Sequence, residues 1–225
     1  MEVCGGSHHW ARKLTELGHT VKLIAAQFVK PFVKNNKNDA RDAEAICESI
    51  NKPDMNFVSI KSFEQHDIQS LHRIRELTKK TRTSLVNQIR GILMEYGVVI
   101  PQGISHIRNK MPLILEDAEN ELTSQIRRLL ADLYEYLHEL DTKVKSYDCK
   151  IECICKEHDI CKRLSRIEGV GAITATALYS SLGTGHQFKK GRDMSAWIGL
   201  VPKQRSSGGK ARLGSISKRG NVNVL

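Results

Sequence analysis

The spacing of apolar residues along the 225-residue chain changes several times, and each change predicts an element. In Ser7–Leu17 the side chains of Trp10, Leu14 and Leu17 fall on one helical face, with Gly18 placed as the stop. The β-branched and apolar run Thr20–Ala26 predicts a buried strand, followed by a loop around Pro31. Asn38–Ile50 is rich in alanine, opens with a good N-cap and first-turn acids, and is followed by Pro53, so a second helix is expected there. Met55–Ile60 suits one more strand or an extended connection. Helix, strand, helix in this order is an α/β pattern.

The spacing then turns helical for a long stretch. From about Phe63 to Glu95, Ile68, Leu71, Ile74, Leu77, Leu85, Ile89 and Leu93 recur at helical intervals, with Arg73, Arg75, Lys79, Lys80, Arg82 and Arg90 between them. The segment YGVVIPQG interrupts this basic helix, and a second helical stretch is expected from about Leu113 to Glu157. Its residues Leu122, Ile126, Leu129, Leu133, Leu137, Leu140, Val144, Tyr147, Ile151 and Ile154 step by three and four, as in a coiled coil. An antiparallel hairpin, or pairing with another copy of the chain, follows from that pattern. The last segment opens with RIEGVGAITATALYSSLG, a helix-turn-helix outline around Gly169, Val170 and Gly171. It ends in RSSGGKARLGSISKRGN, whose composition suits a loop that brings backbone amides and cations to phosphates.

Composition narrows the class. Hydrophobic residues at 40% and charged residues at 27% fit a folded, soluble protein. No apolar run approaches the roughly 18 residues that span a bilayer, and the opening residues lack a signal-peptide pattern. Six unevenly spread cysteines in a chain too large to need stapling point to a reduced, cytosolic setting. The net charge of +10 calls for a polyanionic partner. That excess is local: residues 1–60 carry +1, 61–110 carry +5, 111–161 carry −6 and 162–225 carry +10.

Several residues carry candidate chemistry. Asp39 and Asp42, at i and i+3 of a helix, project from one face and can hold a cation as hard oxygen ligands, the kind of pair that metal-assisted phosphoryl chemistry needs. Plain first-turn acids favoured by the helix dipole are the alternative. Glu2, beside Val3 and Gly5, is placed as an acid at a strand end. The Gly169-Val170-Gly171 turn resembles the hairpin of a helix-hairpin-helix, with amides facing a phosphate; an ordinary tight turn is the alternative. Ser206 or Ser207 lies beside two glycines and several cations. Lys210, Arg212, Lys218 and Arg219, with Lys203 and Arg205 just before, could neutralise phosphate charge around a nucleophilic serine. A basic loop that binds nucleic acid without chemistry explains the charge equally well. Cys149, Cys153, Cys155 and Cys161, near His138 and His158, do not have the spacing of a zinc module, and no histidine pair suggests a metal.

Two strings together resemble a known family. MEVCGGSHHWARKLTELGHTVKLIAAQFVKPFVKNNKNDARDAEAI resembles the latter part of the resolvase-like domain of the DEDD transposases of bacterial insertion sequences. RIEGVGAITATAL with AWIGLVPKQRSSGGKARLGSISKRGN resembles their C-terminal transposase domain. The resemblance implies a mixed α/β and α architecture: a partial ribonuclease H-like (RuvC-like) α/β domain over 1–60, a long helical coiled-coil hairpin over 61–160, and a small, mostly helical C-terminal domain over 161–225. It implies Glu2, Asp39 and Asp42 as the second, third and fourth acids of a Mg²⁺-binding set, and Ser207, before Ser206, as the nucleophile that attacks DNA. It further implies multimers that exchange DNA strands under the direction of a structured RNA, in the bacterial cytoplasm at the nucleoid and without a membrane. Only Met1 precedes Glu2, where the family's first acid-bearing strand belongs, and the sequence stops just after KRGN. A piece truncated at both ends is therefore expected, with little recombination activity alone and with residues 1–60 less stable than the helical hairpin. Two other functions fit the residues: a non-catalytic nucleic-acid-binding coiled-coil protein, and a resolvase-like junction nuclease without the serine step.

Overall fold

The computed structural model describes residues 1–33, 38–53, 55–207 and 209–217. It contains two compact units, Met1–His66 with Leu178–Leu225, and Asp67–Ala177. Mixed α/β and α architecture is found, dominated by helices. None of the described helices is long and apolar enough to cross a membrane.

In the first unit, α1 (Ser7–Glu16) ends as expected, with Gly18 at φ 88° and the His19 amide donating to the Leu14 carbonyl at 3.0 Å. Its packing is different from the expected one. Trp10 is 59% exposed and Leu17 75%, while Ser7 and Ala11 are buried. Polar side chains dock this helix instead: Arg12 Nη1 donates to the Lys61 carbonyl at 2.7 Å, its guanidinium lies 4.1 Å from the centre of the Phe63 ring, and the Lys61 amide donates to His8 Nδ1 at 3.2 Å. Small residues at 7 and 11 let the backbone approach closely enough for those contacts, so the large apolar side chains are left outside.

The expected strand Thr20–Ala26 is reduced to β1 (Leu23–Ile24), because Ala26 already begins α2 (Ala26–Val29). A 3-10 turn, Lys30–Phe32, follows where a loop around Pro31 was expected; the ring suits the start of a helical turn. β1 pairs antiparallel with β2 (Phe57–Val58). On its other side the extended segment around Glu2 runs parallel to it, with Ile24 N–H donating to the Met1 carbonyl at 2.9 Å and Val3 N–H to the Ile24 carbonyl at 2.8 Å. Against β1 packs α3 (Asp39–Ile50), and Ile24, Val29 and Ala45 form the core with Phe32, Val33, Ile46, Met55 and Phe57 around them.

The second unit is helical. α4 (Phe63–Glu95) has its expected bounds; its start is set by a reciprocal capping box, Gln65 N–H to Ser62 Oγ at 3.2 Å and Ser62 N–H to Gln65 Oε1 at 3.0 Å. The single stretch expected from Leu113 to Glu157 is instead two helices, α5 (Ile104–Glu116) and α6 (Ser124–Glu157). Arg127 explains the break: its Nη1 donates to the carbonyls of Ile114 at 3.0 Å and Leu115 at 2.7 Å, satisfying the end of α5. Thr123 Oγ1 then accepts the Ile126 amide to start α6.

α4 and α6 are antiparallel, as one expectation had it. Arg75 Nε donates to Asp148 Oδ1 at 2.5 Å and Arg82 Nη1 to Asp141 Oδ1 at 2.9 Å; one heptad forward on α4 is one heptad back on α6. Leu130, Leu137, Val144 and Ile151 form the buried row of α6, and the expected Leu129 is half exposed. Toward the YGVVIPQG turn the seam is apolar, with Leu85, Val86, Ile89 and Leu93 meeting Leu130, Leu137 and Leu140, and Ile107 and Met111 of α5. In the other half His72, Arg75 and Thr78 are buried, and the expected Ile74 and Leu77 face solvent, Leu77 at 64%. The acids of α6 select that rotation.

Two buried polar groups fix this seam. Asp141 receives Arg82 and, from α5, a bidentate Arg108 (Nε to Oδ2 at 2.8 Å, Nη2 to Oδ1 at 2.6 Å). Burial raises the Asp141 carboxyl, but hydrogen bonds and charge from Arg108 and Arg82 outweigh it and hold it below its usual range. His72 is 2% exposed, and burial, followed by the charge of Arg75, lowers its pKa. The hydroxyl of Thr176 donates to the Ala172 carbonyl at 2.7 Å, so His72 Nε2–H donates to Thr176 Oγ1 at 2.9 Å.

α7 (Asp159–Leu164), a turn and α8 (Ala172–Leu182) give the expected helix-turn-helix outline. α9 (Gly191–Ile198) follows. The final segment is not a loop: β3 (Pro202–Ser207) and β4 (Lys210–Ile216) form an antiparallel ribbon. Alternation on either side of a Gly-Gly pair is a hairpin pattern, and Gly209 takes φ 74° in the turn.

Candidate active site and nucleic-acid interface

The acidic residues are placed by the α/β core. Asn38 Oδ1 accepts the Ala40 amide at 3.0 Å, which starts α3 one residue later and sets Asp39 and Asp42 in its first turn. Burial of Ala45 against Ile24 turns the helix so that Asp39 is exposed and Asp42 half-buried. Among the described residues neither carboxylate has an ion-pair partner, and two hard oxygen donors one turn apart fit a divalent cation. Glu2 lies on the extended segment beside β1, as an acid on a strand, and is half-buried. Among the described residues no three His, Cys, Asp or Glu side chains are drawn together as a metal site, so Glu2 does not close a three-acid set with the pair.

Gly169 adopts φ 81° in the turn between α7 and α8. The Val170 amide there is spent on the Ile167 carbonyl at 3.0 Å, and Gly171 opens α8 by accepting the Ala175 amide at 2.9 Å. Of the cysteines, Cys149 and Cys153 are exposed on α6, and Cys155 and Cys161 are buried.

The ribbon sorts its residues by register. Ser207 pairs with Lys210, Ser206 with Ala211, Arg205 with Arg212 and Gln204 with Leu213. Directly paired residues share a face, and faces alternate along a strand. Lys203, Arg205, Ser207, Lys210 and Arg212 therefore occupy one face, and Ser206 the other, where its Oγ accepts a hydrogen bond from Gln204 Nε2 at 2.8 Å. All of these side chains are exposed, and among the described residues no carboxylate pairs with the four cations. Lys218 and Arg219 lie outside the described residues. Gln204 was not singled out by the sequence; the alternation around the Gly-Gly pair was the signal that would have found it. No hydrogen bond or ion pair among the described residues joins Ser207 to Glu2, Asp39 or Asp42.

Comparison with known proteins converges on one group. Residues 161–225 match the Transposase IS116/IS110/IS902 family, and residues 1–98 match the DEDD transposase family of IS110. The chain is 45% identical over 222 residues to the transposase for insertion sequence element IS1111A of Coxiella burnetii, covering 99% of this chain and 61% of that protein. It is 43% identical to a probable family 20 transposase of Pseudomonas aeruginosa, covering 99% of this chain and 66% of that one. Against the transposase for insertion sequence element IS1328 of Yersinia enterocolitica the identity is 41%, again over 66% of the relative. The chain thus spans a little under two thirds of the length of these curated relatives. Two family matches at opposite ends of one chain, and relatives that share its full span, lead to one conclusion: this protein belongs to the IS110/IS116 family of insertion-sequence transposases.

Proposed function

We propose that this chain carries the serine-bearing and acid-bearing parts of a DNA-cleaving and DNA-joining transposase, with the RuvC-like arrangement of its N-terminal α/β region. Ser207 is the nucleophile. Its Oγ forms a bond to the phosphorus of a DNA phosphodiester while the bond from phosphorus to a sugar oxygen of that strand breaks; the serine gives up its proton and the departing oxygen gains one. One phosphate ester replaces another, so the strand can be rejoined by the reverse step. Arg205, Lys210 and Arg212 hold the backbone and offset charge at the phosphate. Asp39 and Asp42 would hold a divalent cation, Mg²⁺ in this reading, which would supply electrophilic assistance at phosphate oxygens. Gly169 and Gly171 supply a second backbone contact. A structured RNA of the element and further copies of the chain are the expected partners.

The observation that carries this reading is that Ser207 shares a ribbon face with Arg205, Lys210 and Arg212, whereas Ser206 faces away and is hydrogen-bonded to Gln204. The test is recovery of a covalent protein–DNA adduct after incubation with Mg²⁺ and DNA carrying the joined ends of the element. Ser207→Ala should abolish the adduct, Asp39→Ala should reduce it strongly, and Ser206→Ala should leave it. An adduct lost on Ser206→Ala and kept on Ser207→Ala would reassign the nucleophile, and strand cleavage that survives both would favour a junction nuclease.

A second reading, nucleic-acid binding without chemistry, is favoured by the ungathered acids. It requires salt-dependent binding that is unchanged by joint replacement of Asp39, Asp42 and Ser207 with Ala, and no adduct with the unmodified chain.

A further inference from the structure

The register of the ribbon does more than place cations near a serine; it distributes them between two positions. Ser207 faces Lys210 across the ladder, and Arg205 faces Arg212. Both pairs lie on the same face, two residues apart along β3. That step is ~7 Å in an extended strand, close to the separation of neighbouring phosphates along one nucleic-acid strand. The two positions also differ chemically. At one, a hydroxyl stands opposite a single compact ammonium. At the other, two planar guanidinium groups stand directly opposite each other, an arrangement that is repulsive by itself and that an anion between them converts into paired, bidentate hydrogen bonds. Lys203 lies a further two residues before Arg205, beside the irregularity between Pro202 and Gln204, and has no cation directly opposite it.

We infer that the ribbon grips two consecutive phosphates of one strand: the phosphate to be attacked sits between Ser207 and Lys210, and its immediate neighbour sits in the fork made by Arg205 and Arg212. The fork holds an unreacting phosphate and so sets which phosphate meets the serine; Arg205 and Arg212 are positioning residues, and Lys210 is the charge partner of the reacting group. This rests on the reading of the ribbon as the serine-bearing DNA contact and adds its register.

The test uses the full ¹⁵N-labelled chain and thymidine di-, tri- and tetranucleotides without terminal phosphates, which carry one, two and three phosphodiesters. Affinities are read from amide shifts at low salt. From the dinucleotide to the trinucleotide the affinity should rise about tenfold, the gain of one further set of charge-assisted hydrogen bonds. Arg205→Gln and Arg212→Gln should each abolish most of that rise, and Arg205→Lys, which keeps the charge but not the fork, should lose more than half of it. Lys203→Gln removes the same charge and should leave trinucleotide binding within about twofold of the parent. Spectra outside the ribbon should stay unchanged, since all the replaced side chains are exposed. Equal weakening by Lys203→Gln and the arginine variants, or no rise between the two shorter probes, would overturn the register while leaving a DNA-binding ribbon intact. Failure of the parent chain to bind any of the three would overturn both the register and the nucleic-acid role of the ribbon.

Discussion

Along α4 and α6, the arginines of the seam each meet a carboxylate: Arg75 meets Asp148, and Arg82 meets Asp141. Along β3 and β4, arginine stands opposite arginine and lysine opposite serine. The helical pair has satisfied these charges within one chain, whereas among the described residues no carboxylate pairs with the cations of the ribbon. Burial follows the same division. The α4–α6 seam encloses a continuous apolar cluster with α5, whereas every described side chain of the ribbon is exposed. The charges of the first region are thus part of its packing and those of the second stand exposed, and substitutions should separate the two.

The largest effect should come from Asp141→Ala. It leaves two guanidinium groups, Arg82 and Arg108, facing each other without their shared carboxylate. Loss of one partner of a buried pair costs about 3–5 kcal/mol; because Arg108 is 40% exposed at its side chain and can turn toward water, about 3 kcal/mol is expected, measured by urea unfolding. Arg108→Ala should cost less, since the Arg82–Asp141 pair survives. If Asp141→Ala unfolded at the same urea concentration as the parent, the seam would not depend on its charges.

A smaller effect separates the acid-bearing helix from both regions. Asn38→Ala removes the side-chain acceptor for the Ala40 amide and should cost about 1 kcal/mol. The loss should appear as faster amide exchange in the first turn of α3, the turn that carries Asp39 and Asp42, with α6 unaffected.

Much of this was legible in the sequence where local chemistry sets an element's bounds. The Asn38 cap and the Gly18 stop gave helices at their expected positions, and the apolar spacing gave the bounds of α4. The pairing of Asp39 with Asp42 on one turn needed only helix geometry. What could not be read depends on partners distant in the chain. Arg75 and Arg82 read only as basic residues between the apolar ones until the acids of α6 are known to lie opposite, and Ile74 and Leu77 are then counted with the packed face although they stand exposed. The end of α5 is invisible because Arg127, from the next helix, closes it. Likewise a run rich in Gly, Ser, Lys and Arg reads as a loop, and only pairing tells Ser207 from Ser206.

pH should affect the helical seam, through His72, and the docking of α1, through His8, but not the ribbon. Burial lowers the pKa of His72, and burial, with the charges of Lys61, His66 and Arg12, lowers that of His8 to about 4. Below the ordinary histidine value the unfolded chain takes up protons that the folded one refuses, so stability is constant above pH ~6.5 and declines as the pH falls beneath it. His72→Gln should flatten part of that slope. A protein equally stable at pH 5 and pH 8 would show that neither imidazole is held neutral by the fold. Asp141 acts in a separate, more acidic window: its carboxyl is held low in the fold, so its contribution is lost only as the pH falls below its unfolded value.

The smallest change in stability should accompany one of the larger changes in binding. Arg212→Gln replaces an exposed side chain in a ribbon whose described side chains are all exposed, and it removes the repulsion with Arg205 directly opposite. The midpoint of urea unfolding should therefore stay where it is or rise slightly, while affinity for a short single strand falls and its dependence on salt becomes shallower by about one counterion. In the helical seam, by contrast, removal of a charge destabilises the fold, because there each charge has its partner inside the molecule. If Arg212→Gln instead lowered the unfolding midpoint as Arg108→Ala does, the ribbon's arginines would be structural, held by contacts within the folded unit, and their place opposite each other would no longer imply an anion between them.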